Sequence, residues 1–122
     1  MKQKLQAELI KNYPKIFSNI ERFIGIECGD GWFGIIDNLC QELQKLSDSE
    51  GSGQVFASQV KEKFGGLRFY ADGTSEEQDE NIELAENLSN ITCETCGSME
   101  NVFQTNGWIK TTCDKCNESG GK

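Results

Sequence analysis

Histidine is absent from this chain of 122 residues. Its absence removes the commonest general base, so Ser-His-Asp triads, Cys-His nucleophiles and histidine-metal hydrolases are excluded. Proline is confined to Pro14, and apolar residues (36%) and charged residues (26%) stand in the proportions of a chain that folds. No long apolar run occurs near the start, where Met1-Lys2-Gln3-Lys4-Leu5-Gln6-Ala7-Glu8 breaks every apolar stretch with a polar side chain. The expectation is neither a signal-peptide core nor a membrane span, no membrane partner, and a cytoplasmic location.

Positive charge is scarce in one part of the chain only. Residues 1–71 hold nine basic and nine acidic side chains, and residues 72–122 hold three basic and eleven acidic, so the whole net charge of −8 comes from the second part. Duplex-DNA binding normally needs the opposite balance, with clustered Lys and Arg against phosphates. The length suits one domain that buries roughly two thirds of its unfolded surface.

Six cysteines are present, and four of them stand in two C-x-x-C pairs: Cys93-Glu94-Thr95-Cys96-Gly97 and Cys113-Asp114-Lys115-Cys116, with sixteen residues between Cys96 and Cys113. In a reducing compartment this spacing suits a metal better than disulfides. A two-residue spacer lets two thiolates from one tight turn reach the same ion, and two such turns complete a tetrahedral zinc ribbon. Iron in a rubredoxin-like site and a redox dithiol are the alternatives. With all four positions on Cys93, Cys96, Cys113 and Cys116, none is left for water, so the zinc is expected to be structural. Gly107-Trp108-Ile109-Lys110 is read as a strand leading into the second turn.

Along the chain, Leu5, Leu9 and Ile10 predict a helix over 2–13, stopped by Pro14. A second helix is expected from Asp30, as N-cap, with Trp32, Ile35, Ile36, Leu39, Leu43 and Leu46 on one face and Cys40 as a small core residue. It ends before Ser49-Glu50-Gly51-Ser52-Gly53, read as a flexible connection. Gly65-Gly66 then reads as the two-residue loop of a β-hairpin, pairing Phe64 with Leu67, Lys63 with Arg68, Glu62 with Phe69 and Lys61 with Tyr70. One face of the hairpin carries Val60, Phe64, Leu67 and Phe69, and the other collects Lys61, Lys63, Arg68 and Tyr70. Thr74 and Glu77 form a capping-box pattern for a third helix, with Ile82, Ala85 and Leu88 inward and Glu76, Glu77, Asp79, Glu80, Glu83 and Glu86 outward.

Two groups outside the cysteines are candidate binding sites. Ile26-Glu27-Cys28-Gly29-Asp30-Gly31-Trp32-Phe33 gathers acids, a thiol and an aromatic around two glycines, with Glu27, Asp30 and Trp32 as its binding candidates. Capping by Asp30, burial of Trp32 and Cys28, and turn glycines account for the same residues without any ligand. Lys61, Lys63, Arg68 and Tyr70 form either a solvated strand face or an anion-binding patch for a phosphate-bearing ligand or an acidic partner, with Trp108 or Tyr70 as a stacking platform.

The segments Ile26–Phe33, Val60-Lys61-Glu62-Lys63-Phe64-Gly65-Gly66-Leu67-Arg68-Phe69-Tyr70, Cys93–Gly97 and Gly107-Trp108-Ile109-Lys110-Thr111-Thr112-Cys113 occur in an order that resembles a family of small proteins encoded by phages and prophages. The likeness covers most of residues 12–116. Members often carry histidine where this chain has Cys116, a departure that changes the ligand type and keeps the zinc reading. No activity is established for the family. The resemblance therefore implies a setting, a bacterial host cell, and by analogy a protein that binds and modulates host machinery, including defence nucleases.

The reading is a single α+β domain over 1–122: N-terminal helices, a β-hairpin and an acidic helix as a core over 1–90, with a four-cysteine zinc-ribbon subdomain over 91–118. Its leading function is a non-enzymatic, zinc-binding accessory protein that engages a host protein. The alternative is a module for a small ligand, nucleotide or nucleic acid on the basic hairpin face, and an enzyme is the third class.

Overall fold

The computed structural model describes residues 1–19, 25–50 and 53–120, and it is an α+β fold of four helices and two small sheets. Helix α1, Gln3–Asn12, buries Leu9 completely and ends as expected before Pro14. After it, Ile16 and Phe17 drop into the core, and β1, Ile26–Glu27, leads to a 3-10 turn over Asp30–Trp32 and then to helix α2, Phe33–Glu50. Asp30 does not cap the helix with its side chain. Its carboxylate instead accepts the Lys2 backbone N–H at 2.8 Å, while the 3-10 turn redirects the chain before α2 begins at Phe33. Trp32, Ile35, Ile36, Leu39, Cys40 and Leu43 form the buried face, each large side chain contributing about 1.5–3 kcal/mol of transfer free energy. The helix continues through Ser49, and of the connection expected there residues 51–52 lie outside the described residues.

The hairpin forms from β2, Phe56–Lys63, and β3, Gly66–Asp72, with β1 added parallel to β2. Its turn is one residue earlier than the glycine pair suggests. The pairs are Lys63 with Gly66, Glu62 with Leu67, Lys61 with Arg68 and Val60 with Phe69, so Phe64 and Gly65 are the central residues, at φ 52° and 82°. Two positive φ values give the strand twist that a two-residue hairpin needs, and Gly66 is spent on the first paired position. The pairing moves by two positions, an even number, so every side chain keeps its face and only its partner changes. Val60, Leu67 and Phe69 point inward and Lys61, Lys63, Arg68 and Tyr70 outward, whereas Phe64, expected in the core, is 71% exposed at the turn. An extra residue at Ser58 bulges β2, which lets Ala57 and Val60 both face inward although they are three apart.

Helix α3, Glu76–Ser89, also starts one residue away from its expected cap. Ser75 accepts from Gln78 N–H at 3.2 Å and Gln78 Oε1 accepts from Ser75 N–H at 2.8 Å, while Thr74 donates to Asp79 instead. Gln78 is fully buried, and its amide also donates to Leu43 O and Ser47 Oγ, tying the start of α3 to the end of α2. The inner face of α3 is thus Gln78, Ala85 and Ser89, and Leu88, expected inward, is 39% exposed. Glu86, expected outward, is half-buried and accepts the Phe69 N–H at 3.0 Å, and Ser89 Oγ accepts the Leu67 N–H at 2.9 Å. Two α3 side chains therefore occupy the donors along the outer edge of β3, an edge that would otherwise invite another strand.

Beyond α3 come β4, Val102–Gln104, β5, Thr111–Cys113, paired antiparallel, and the short helix α4, Asp114–Gly120. Gly107–Lys110, expected as a strand, forms the β4–β5 turn, and the strand begins one residue later at Thr111. No helix among the described residues is long and apolar enough to cross a membrane.

The turn gives two opposed expectations. Phe64→Asn, which tolerates positive φ better than phenylalanine, should raise stability by about 0.5–1 kcal/mol in thermal or urea unfolding. Gly65→Ala should lower it by about 1–2 kcal/mol, because its Cβ would meet Ile109 at 2.8 Å on a φ of 82°. A neutral Gly65→Ala would contradict this account of the turn.

Candidate metal centre

Cys93 follows α3 closely because Thr92 and Ile91 continue the chain in a tight turn, their N–H groups donating to Ser89 O and Leu88 O, both at 3.2 Å. From there the chain turns on itself: Cys93 N–H donates to Ser98 O at 2.8 Å, and Gly97 N–H donates back to Cys93 O at 2.9 Å. This loop presents Cys93 and Cys96. Cys113 ends β5 and Cys116 lies in the first turn of α4, so a helical turn brings the second pair to one point. The four sulfurs lie within 4.8 Å of one another, and Cys96 Sγ is 3.7 Å from Cys113 Sγ. None of the cysteines is in a disulfide. Four sulfurs at this spacing can hold a metal ion, with no ligand position left over among them.

The inner wall of the cluster is dry and the outer wall is wet. Cys93 and Cys113 are buried, Cys96 is exposed and Cys116 is half-buried. Burial opposes ionisation of Cys93, but backbone N–H groups of Cys96, Cys113 and Thr95 directed at its sulfur draw the thiol down to about 6. The crowding acts the other way on Cys116, where the Cys113 and Cys96 sulfurs push the thiol up to about 12. One anion is supported by the backbone; four need a cation among them.

A second layer of contacts holds this loop against the core, and it comes from Gly29-Asp30-Gly31-Trp32. Gly31 N–H donates to Glu94 O at 2.7 Å, Gly29 N–H to a Glu94 carboxylate oxygen at 2.9 Å, and the buried Trp32 indole N–H to Thr92 O at 2.9 Å. On the other side Glu94 N–H donates to Thr111 O at 3.1 Å. The two backbones run so close that a Cβ on Gly31 would sit 2.2 Å from Cys93 O, and one on Gly29 would sit 2.3 Å from Glu94 O. Burial raises the Glu94 carboxyl above the usual carboxylate range although the Gly29 N–H partly offsets it. Cys28, beside this bracket, is pushed up to about 12, chiefly by burial and then by the Glu94 charge. It is a neutral thiol with no thiolate character at physiological pH.

Each remaining candidate residue has a definite place. Trp32 is fully buried and contacts the cysteine loop through its N–H, while Asp30 holds the Lys2 backbone, with the Lys2 ammonium 3.8 Å away. Glu27 is exposed on β1 opposite Lys61, which in turn stands opposite Arg68, so a row of one acid and two bases crosses the outer sheet face. Lys63 lies on the same face, its ammonium 5.7 Å from the Phe64 ring centre, and Tyr70 sits at the far end, opposite Gln59. Trp108 is 83% exposed and shares a groove of about 350 Å3 with Phe64, Ile109 and Glu62, which Tyr70 does not line. The hairpin turn and the cysteine segment meet where Thr111 Oγ1 donates to Gly65 O at 2.5 Å.

The residues missed by sequence reasoning are Thr92, Glu94 and Thr111, whose roles are carried mainly by backbone atoms. Glycines on both sides of Asp30 signal a close backbone approach, but not what approaches.

Gly31→Ala should abolish the native arrangement of the cysteine loop, seen as lost metal stoichiometry and a cost above about 3 kcal/mol, since backbone oxygen stands where the Cβ must go. Trp32→Phe removes the donor to Thr92 O and also leaves a cavity where the fully buried indole was larger than a phenyl ring, with an expected loss of about 3 kcal/mol or more in denaturant unfolding. An unchanged Trp32→Phe would mean that the bracket contributes nothing.

Comparison with family models, with curated proteins and with solved structures finds no match to this chain, so its function is argued from its own residues.

Proposed function

We propose that this chain is a structural-zinc protein without catalytic chemistry of its own, an accessory protein of the phage or prophage kind that works by binding a protein of a bacterial host cell. The observation that carries the zinc part is the four-sulfur cluster. Zinc–sulfur bonds of about 2.3 Å in a tetrahedron set the sulfurs about 3.8 Å apart, and the 3.7 Å between Cys96 and Cys113 fits that edge. Four cysteine ligands and no histidine also make a soft donor set that favours zinc over magnesium or calcium. The ion would fasten a segment poor in buried side chains to the core, and such binding can supply on the order of 10 kcal/mol to folding. The host-protein part rests on the family resemblance of the motifs and on charge. With the acidic excess in residues 72–122, and four thiolates outweighing the ion's +2, this half suits a basic protein surface better than a phosphate backbone.

A second reading has a specific observation behind it. Lys61 and Arg68 oppose each other across β2 and β3, and among the described residues neither is in an ion pair. Phe64, whose ring centre is 5.7 Å from the Lys63 ammonium, and Trp108 expose most of their rings beside one groove, which Glu62 also lines. An anionic ligand with a flat ring, such as a nucleotide or a single-stranded nucleic acid, would suit both features.

The test is affinity purification of tagged protein from a bacterial host at low and high salt, with metal analysis and mass spectrometry. About one zinc per chain, lost with the C-terminal fold on chelation, and one host protein in near-equal amount are expected. Iron at the site, or repeated absence of a stoichiometric protein, would overturn the corresponding half. Nucleotide or nucleic acid that leaves at high salt, and is lost when Lys61, Lys63 and Arg68 are reversed in charge, would move the function to the hairpin face.

A further inference from the structure

Helix α3 buries the wrong side chains for an isolated molecule. Its inner row contains Gln78 and Ser89, both fully buried, while Leu84 is 66% exposed, Leu88 39% and Ile91 54%. Leu84 and Leu88 stand one turn apart in one row on the helix surface, and Ile91 follows in the turn just past its end. Ordinary amphipathic packing would turn that row inward. The polar row is instead fixed there by the hydrogen bonds of Gln78 to Leu43 and Ser47 and of Ser89 to Leu67, which leave α3 no freedom to rotate.

The exposed row has a neighbour. Leu84 and Leu88 line a groove of about 170 Å3 against α2, floored by Ile35, Leu39 and Ala85. The rim is acidic or neutral: Glu42 and two asparagines line it, α3 contributes exposed Glu80 one turn before Leu84, and α3 has no basic residue at all. Lys45, the one cation of α2, follows Glu42 by three residues and does not line the groove.

From this juxtaposition we infer that the α2–α3 groove is a docking site for a cationic amphipathic helix of a partner protein, whose apolar side chains cover Leu84 and Leu88 while its lysines and arginines meet Glu42 and Glu80. The inference rests on the proposed binding role and deepens it by giving the surface and the partner's chemistry. A helix suits the groove, because Leu84 and Leu88 are one turn apart along its wall and apolar side chains at the same spacing on a partner helix would meet both. Charge selects among occupants. A second copy would bring two acidic rims together, and a nucleic acid would meet carboxylates, whereas a basic helix gains both apolar burial and opposite charge.

The probe is a fluorescent peptide of about 18 residues, leucine and lysine at helical spacing, compared with the same composition in scrambled order and with a leucine–glutamate version. Fluorescence anisotropy with the zinc-loaded full chain should show the amphipathic basic peptide binding at least about tenfold tighter than the scrambled one, and no binding of the acidic one. Leu84→Ser with Leu88→Ser should weaken binding about tenfold or more, while metal content stays unchanged and unfolding stays one cooperative transition at a somewhat lower midpoint. Glu42→Gln with Glu80→Gln should flatten the salt dependence. Equal binding of the scrambled peptide, or indifference to the leucine pair, would overturn the inference, and so would a dimer in sedimentation that disappears in the leucine double variant. A host protein captured equally well by that variant would leave the binding role standing and remove this groove from it.

Discussion

The structure depends on a backbone-to-backbone embrace between Gly29–Trp32 and the loop that carries Cys93 and Cys96. Gly31 gives its N–H to Glu94 O, Trp32 gives its indole N–H to Thr92 O, and the two glycines bring the chains closer than any side chain would permit. Trp32 is at once the largest fully buried side chain and a donor to the segment that carries Cys93 and Cys96. The core and the cysteine cluster are therefore mechanically one body, and the orientation of the cluster is inherited from the start of α2. A cysteine cluster built only on its own two loops would be free to swivel; this one is hydrogen-bonded to a buried indole.

Around that joint the fold resolves its polar groups by lending side chains between elements. α3 supplies Ser89 and Glu86 to the outer edge of β3, Gln78 to the end of α2, and Thr111 reaches from β5 to the hairpin turn. No buried side-chain nitrogen or oxygen among the described residues lacks a partner. The cost is borne by hydrophobic pattern: a helix that must turn polar groups inward leaves its leucines outside. The same economy appears at the hairpin, where pairing Gly66 with Lys63 pushes Phe64 onto the turn at positive φ with its ring in solvent. Both departures from simple amphipathic packing leave apolar surface next to charge, one beside carboxylates and one beside lysine.

Much of this is legible in the spacing of the residues. The cysteine spacing announces a four-ligand site because two ligands per tight turn is a local geometric fact. The outward row of Lys61, Lys63, Arg68 and Tyr70 survives a mistaken turn because the strand period is two and the pairing moved by two. The third helix is legible, yet its cap is Ser75 rather than Thr74, since Ser-Glu-Glu-Gln offers a reciprocal box as good as the one beginning at Thr74. Asp30 was a reasonable cap by type, and lost that role to the Lys2 backbone.

The sequence by itself determined the four cysteines of the candidate metal site, the two helices with strong periodicity, the hairpin and the faces of its strand residues, and the acidic character of α3. These follow from spacing along the chain, which acts over a few residues. Only the tertiary structure decided that Gly29–Trp32 exists to hold Glu94 and Thr92, that Gln78 and Ser89 are buried in preference to Leu84 and Leu88, and that Phe64 and Trp108 share a surface. Each of these depends on a hydrogen bond or close approach between residues more than twenty positions apart, and hydrophobic periodicity carries no information about the partners of a polar group.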